Sequence, residues 1–247
     1  MNNLLTSQSV FLVMAFVVAT LSGATAAVAG FGIGSLLTPL MATRLGMTTA
    51  VAAVAIPHAI ATALRCWRLQ RNIDWGVVRS FGLLSAAGGL AGAALFTRLS
   101  SAALTQALGV LLVATAIAGL TNWAGRFKPR RGISGVLGFA SGLFGGVAGN
   151  QGGLRAAALM TFTLAPAAFV ATSTATGLLV DAARIPVYFV GSRAALAPIV
   201  APIGVATAGV LIGTLLGERV LLGMSADRFR RVVSALIGLL GIWLLAR

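Results

Sequence analysis

The sequence predicts an all-α polytopic membrane protein, built as two inverted repeats of about five helical elements, each repeat carrying a glycine-broken short half-helix. Three observations lead there. Of 247 residues, 58% are hydrophobic and 9% charged, and the mean hydropathy is +0.99; a soluble domain carries roughly 25% charged residues. Apolar stretches of about 20 residues, long enough to cross a bilayer, recur along the whole chain. Finally, one glycine-rich break occurs twice, as Val28-Ala29-Gly30-Phe31-Gly32-Ile33-Gly34 and Val147-Ala148-Gly149-Asn150-Gln151-Gly152-Gly153. A single ungapped offset of 119 residues superimposes the two, and it also carries Gly23 onto Gly142, Ala52 onto Ala171, Ala63 onto Ala182 and Arg65 onto Arg184. A duplicated helix break in a very hydrophobic chain is the best sequence pointer to a transporter's binding site.

Residues 1–247 are read as one transmembrane domain, with repeat one at 1–123, a hinge loop at 124–132 and repeat two at 133–247. Element one, about 8–29, follows a start with no basic residue before its apolar stretch, so it is expected to be a retained span and not a cleaved signal. The first break then opens a short element at 34–44, and elements at 48–69, 76–97 and 101–123 complete the half. The run Trp123-Ala124-Gly125-Arg126-Phe127-Lys128-Pro129-Arg130-Arg131-Gly132 is polar, basic and helix-breaking. Beyond it come elements at 132–148, a short 153–164, then 167–189, 195–216 and 227–246. The short elements measure roughly 17 Å at 1.5 Å per residue, about half of a ~30 Å hydrocarbon core. Each is read as a half-helix starting near midplane, with an inclined full crossing as the alternative.

A net charge of +14 raises the question of nucleic acid. The placement of the charge excludes it: most Arg and Lys sit in short loops between apolar spans, with no aromatic-interleaved basic surface. They mark the cytoplasmic side instead. Three clusters carry the bias: Arg65, Arg68, Arg71 and Arg79; Arg126, Lys128, Arg130 and Arg131; and Arg219, Arg228, Arg230 and Arg231. Placing them inside puts the loops near 98 and 192 outside, with both termini. The loop near Arg71 then lies inside and its repeat partner near 190 outside, which is the inverted arrangement. Arg65 is expected to snorkel to the cytoplasmic interface, and Trp67, Trp75, Trp123 and Trp243 to form interfacial belts.

The breaks have an electrostatic sign. A helix N-terminus leaves N–H groups unpaired and carries about half a positive charge, so two of them meeting at midplane favour an anion. Gly30, Gly32, Gly34, Gly149, Gly152 and Gly153 let an oxyanion approach the backbone, and Asn150 and Gln151 add side-chain donors. Arg155 falls in the first turn of the second short helix. It costs about 2.5–3.5 kcal/mol in a bilayer unless it faces a cavity or partner, and its guanidinium suits an oxyanion. The alternative is that these glycines only pack helices, as the small-xxx-small sets Gly88/Gly92, Gly138/Gly142/Gly146 and Gly209/Gly213/Gly217 are expected to do.

Asp181 and Arg184, three apart on an apolar element, can pair on one helical face. They either neutralise each other in lipid or form a carboxylate that carries a proton and gates a pathway. His58, the sole histidine, follows Pro57. It either donates to a carbonyl that Pro57 frees or titrates near neutrality. Thr172, Ser173, Thr174 and Thr176 either hydrate a pathway or bond their own helix backbone. The single cysteine, Cys66, excludes an intrachain disulfide. His-Glu-x-x-His and P-loop motifs and paired intramembrane aspartates are missing, so neither an enzyme nor a cofactor or metal is expected.

Several stretches resemble the TauE/SafE sulfite exporter family of bacterial membrane permeases: Gly30-Phe31-Gly32-Ile33-Gly34-Ser35-Leu36-Leu37-Thr38-Pro39-Leu40; Ser141-Gly142-Leu143-Phe144-Gly145-Gly146, continuing into Gly149-Asn150-Gln151-Gly152-Gly153-Leu154-Arg155; Ala53-Val54-Ala55-Ile56-Pro57-His58; and Leu179-Val180-Asp181-Ala182-Ala183-Arg184. The resemblance runs over nearly the full chain. It implies a multi-pass protein of the bacterial inner membrane that carries sulfite, sulfonates or other organosulfur anions, coupled to an ion gradient. The sequence departs from the family at Asn150 and the Gly153-Leu154-Arg155-Ala156 run. The expectation is a secondary transporter for a small oxyanion, with a coupling proton or cation at His58, Asp181 and Arg184. The competing reading is a non-transporting membrane scaffold or assembly factor, which has little use for Arg155 or Asp181 at membrane depth.

Overall fold

A computed structural model describes residues 2–30, 32–121, 133–150, 152–159, 162–221 and 226–246. The expected hinge at 124–132, with its basic cluster, lies outside the described residues, as does Gln151. Among the described residues every regular element is helical. In chain order they are α1 (Asn2–Ala29), α2 (Ile33–Leu45), α3 (Met47–Leu69), α4 (Trp75–Phe96), α5 (Ser101–Leu120), α6 (Ser134–Ala148), α7 (Gly152–Leu159), α8 (Pro166–Leu196), α9 (Val200–Leu221) and α10 (Ala226–Leu245). Among the described residues, five stretches are long and apolar enough to cross a membrane: Gln8–Val28, Met47–Asn72, Trp75–Phe96, Ser101–Leu120 and Ala167–Gly217, the last running through both α8 and α9.

Where boundaries depart from the sequence reading, proline explains it. The second short element is described as Gly152–Leu159 instead of reaching 164: residues 162–165 are non-helical, and Pro166 holds Ala165 in extended backbone, φ −61° and ψ 151°. Helix α8 runs through Gly191, where a break was expected, and ends at a 3-10 turn over Ala197–Ile199 around Pro198. Helix α4 contains a π turn at Val78–Gly82.

Small residues set how the helices pack. Gly209, Gly213 and Gly217 of α9 lie on α1, where a Cβ at Gly213 would sit 1.9 Å from the Thr20 carbonyl oxygen. Gly88 and Gly92 of α4 lie on Phe139 and Leu143 of α6, and Gly142 and Gly146 of α6 lie on Ser85 and Gly89 of α4. Those sets therefore do the packing expected of them. Helix α5 packs on α10, and α3 packs on α8. The 119-residue offset maps the end of α1 onto the end of α6 and the starts of α2 and α3 onto those of α7 and α8, while α6 begins thirteen and α9 six residues later than the offset from α1 and α4 gives. In this correspondence the pairs α1–α9 and α6–α4 exchange, as do α3–α9 and α8–α4.

Three contacts fix directions. The Met47 N–H donates to Ser101 Oγ at 3.1 Å, so α3 and α5 start at the same end. The Asp74 N–H, past the far end of α3, donates to Thr172 Oγ1 near the start of α8 at 3.0 Å. Gly191, near the end of α8, lies against Thr97 at the end of α4. Helices α3 and α8 therefore run in opposite directions.

Candidate anion site

The two breaks end their helices the same way. Gly30 closes α1 with φ 76° and Gly149 closes α6 with φ 70°, left-handed conformations that favour glycine. The Gly30 N–H donates to the Ala26 carbonyl and the Gly149 N–H to the Gly145 carbonyl, both at 3.0 Å. The breaks also touch. A Cβ on Gly34 would lie 2.6 Å from the Gly149 carbonyl oxygen and 3.6 Å from the Asn150 Cα, so only glycine lets the start of α2 approach the second break so closely.

Arg155, on α7, is 2% exposed. Its Nε donates to Ser173 Oγ on α8 at 3.0 Å and its Nη2 to the Gly30 carbonyl at 3.3 Å. One guanidinium thus ties the second short helix to the first break and to α8. Its Nη1 is buried and, among the described residues, has no hydrogen-bond partner. That nitrogen lies over Gly177, where a Cβ would stand 2.7 Å from it. A buried guanidinium N–H left unpaired costs free energy on the order of 1–3 kcal/mol or more, and an oxyanion oxygen is the acceptor that would recover it.

One helical turn after Gly177, Asp181 accepts from three donors on two sides. His58 Nδ1 lies 2.7 Å from Oδ2, while Arg184 Nε and Nη2 reach Oδ1 at 3.0 and 2.8 Å. An ionised carboxylate only accepts, which places a proton on His58 Nδ1. The histidine therefore spends its donor on Asp181 and not on a carbonyl freed by Pro57. Arg184 Nη1 continues to the Gly145 carbonyl at 2.6 Å, and the Tyr188 hydroxyl donates to the Gly146 carbonyl. Its ring packs against Phe96 at 4.6 Å between centroids, tilted by 52°.

Arg65 departs from expectation. It does not snorkel to an interface: it is 6% exposed, its Nη1 donates to the Ala26 carbonyl and its Nη2 to Thr62 Oγ1 at 3.3 Å. A guanidinium placed that deep draws on the second lone pair of a helix-end carbonyl, since the Ala26 oxygen already accepts from the Gly30 N–H. The 119-residue offset relates Arg65 to Arg184, Ala26 to Gly145 and Thr62 to Asp181. Each arginine bonds the equivalent carbonyl and the equivalent residue three positions before itself.

Other expected residues fall as follows. Asn150 and Gly152 are buried at the second break. The open faces of Gly32 and Gly153 pack on Thr25 and Thr115, away from Arg155's partners. Thr174 bonds its own helix at Val170, whereas Thr172 and Ser173 accept from Asp74 and Arg155. Trp67 and Trp75 are exposed near span ends, as belt residues should be. Sequence reasoning missed Ser173 as the support of Arg155, Gly177 as the space for it, and Thr62 and Arg65 as a second bracket. The offset could have found the last pair, because it maps them onto Asp181 and Arg184.

The family described as "Sulfite exporter TauE/SafE" matches residues 15–244 of the chain. Comparison with curated proteins and with solved structures returns no match.

Proposed function

The chain belongs to the sulfite exporter TauE/SafE family, a family of membrane permeases, and on that premise we propose that it is a secondary carrier whose substrate is a small oxyanion, sulfite, a sulfonate or a related organosulfur anion. The observation that carries the site is Arg155: a fully buried guanidinium between two left-handed glycine breaks, with Nη1 unspent. Gly30, Gly34, Gly149, Asn150 and Gly152 would surround the anion, and Gly32 and Gly153 would shape the breaks that present it. A scaffold gains nothing from this arrangement and bears its desolvation cost.

Alternating access follows if residues 1–123 and 133–247 are inverted repeats joined at 124–132. The opposed directions of α3 and α8, the exchanged packing pairs and the matched arginine brackets support that division. Movement of the bundle holding α1 and α9 against the bundle holding α4 and α6, each pair drawn from both repeats, would expose the breaks first to one side and then to the other. His58 lies on α3 of the first repeat and Asp181 on α8 of the second, so their hydrogen bond crosses the moving seam. Protonation there would couple a proton to the change of access, with Arg184 holding the carboxylate in place.

Flux of sulfite and alkanesulfonates into proteoliposomes tests the reading. Uptake by the wild type that collapses in Arg155→Ala supports it; uptake unchanged in Arg155→Ala removes the site, and no uptake of any sulfur oxyanion favours a scaffold.

A further inference from the structure

We propose that the site selects divalent oxyanions over monovalent ones, a refinement that rests on the oxyanion reading above. The argument is charge balance. Among the described residues, three arginines are buried within the bundle, Arg65, Arg155 and Arg184, against one buried carboxylate, Asp181. With His58 neutral, the cluster carries an excess of two positive charges.

These charges form one electrostatic unit. Arg65 bonds the Ala26 carbonyl and Arg155 the Gly30 carbonyl, one helical turn apart on the same chain segment, and Gly30 N–H itself donates to Ala26. Arg155 Nη1 rests on Gly177, one turn from Asp181 on α8. Asp181 binds both His58 and Arg184. Two of the three guanidiniums keep a buried N–H with no acceptor among the described residues, Nη1 of Arg155 and Nε of Arg65. Arg184, which has the carboxylate, keeps none. The unspent donors and the unbalanced charge belong to the same two side chains.

The imbalance has a definite origin in the repeat. Asp181 compensates Arg184, while the equivalent position in the first repeat is Thr62, which offers Arg65 a hydroxyl at 3.3 Å and no charge. A carboxylate at both positions would leave an excess of one and suit a monoanion. The chain holds one, so a dianion brings the buried cluster to neutrality while a monoanion leaves a residual buried cation, which low-dielectric surroundings penalise.

The test measures dissociation constants on the purified full chain at alkaline pH, using sulfate, sulfite and thiosulfate as divalent probes and methanesulfonate and nitrate as monovalent ones. Wild type is expected to bind the divalent set on the order of ten- to thirtyfold more tightly, the effect of one unit charge about 8–12 Å away at an effective dielectric constant near 20. Thr62→Asp, which builds the Asp181–Arg184 pair again at Arg65, is expected to erase most of that ratio. Thr62→Asn separates charge from shape and should retain a ratio at least tenfold above that of Thr62→Asp. Equal or reversed binding of the two sets by the wild type overturns divalent selection and leaves the oxyanion site standing. Failure of every probe to bind overturns the oxyanion site itself.

Discussion

Arg65 and Arg184 stand 119 residues apart and donate to the carbonyls of Ala26 and Gly145, which are themselves 119 residues apart. The duplicated sequence pattern is thus a duplicated hydrogen-bond bracket: an arginine on the third helix of each half holds the end of that half's first helix just before its glycine break. The side chains that meet the two arginines differ, Thr62 against Asp181, and that difference leaves the first bracket with a net positive charge while the second is neutral.

The second bracket is the more fragile when cut on one side. Asp181→Asn leaves Arg184 buried without its counter-charge, which should cost about 3–5 kcal/mol of stability. Replacing both members, as Asp181→Asn with Arg184→Met, should recover part of the loss because no buried charge is stranded. Thermal unfolding of the detergent-purified variants checks this, and a single variant as stable as wild type would contradict it.

His58→Gln keeps a neutral donor near Asp181 but removes the only imidazole. The groups that face it are Asp181, Arg184, Arg65 and Thr62, and arginines do not titrate in this range. If the His58–Asp181 seam couples transport to protons, wild-type uptake varies across about pH 5 to 8, and the variant's profile goes flat. A profile of the same shape in both proteins places coupling elsewhere.

Glycine substitutions should separate packing from conformational freedom. At Gly142 a Cβ would lie 1.8 Å from the Ser85 carbonyl oxygen, so Gly142→Ala must push α4 from α6 and cost about 1–3 kcal/mol. Nothing lies within 4 Å of a Cβ at Gly204, inside α9. Gly204→Ala should therefore stabilise the protein by about 0.5–1 kcal/mol. Unfolding temperatures that move the same way in both would refute the helix contacts described.

The opposed directions of α3 and α8 predict sidedness. In a Cys66→Ser background, cysteines at Gly191 and Arg71, both exposed, should label from opposite faces of the membrane, with position 71 cytoplasmic. Labelling of both from one face would overturn the inverted arrangement.

Much of this was legible because membrane constraints are severe. Apolar length placed the helices of the described residues in the right order, and the duplicated glycines marked both breaks, since irregular backbone at depth needs a reason. Arg155 stood out because a guanidinium in an apolar stretch needs a partner. Arg65 misled because a span-end arginine and a buried one read alike until the helix is known to pack beside a broken neighbour. The His58–Asp181 bond joins residues 123 apart, and nothing local in either stretch encodes the pairing. The end of α8 was misplaced because Gly191 looked like a stop and Pro198 was the actual one.

The most direct test is the affinity of sulfite for the wild type and for Arg155→Gln, measured by calorimetry on protein shown to be folded. Loss of a charged hydrogen bond worth about 1.5–3 kcal/mol should weaken binding roughly ten- to hundredfold. An Arg155→Gln protein that binds sulfite as tightly as wild type would contradict an anion site between the two breaks.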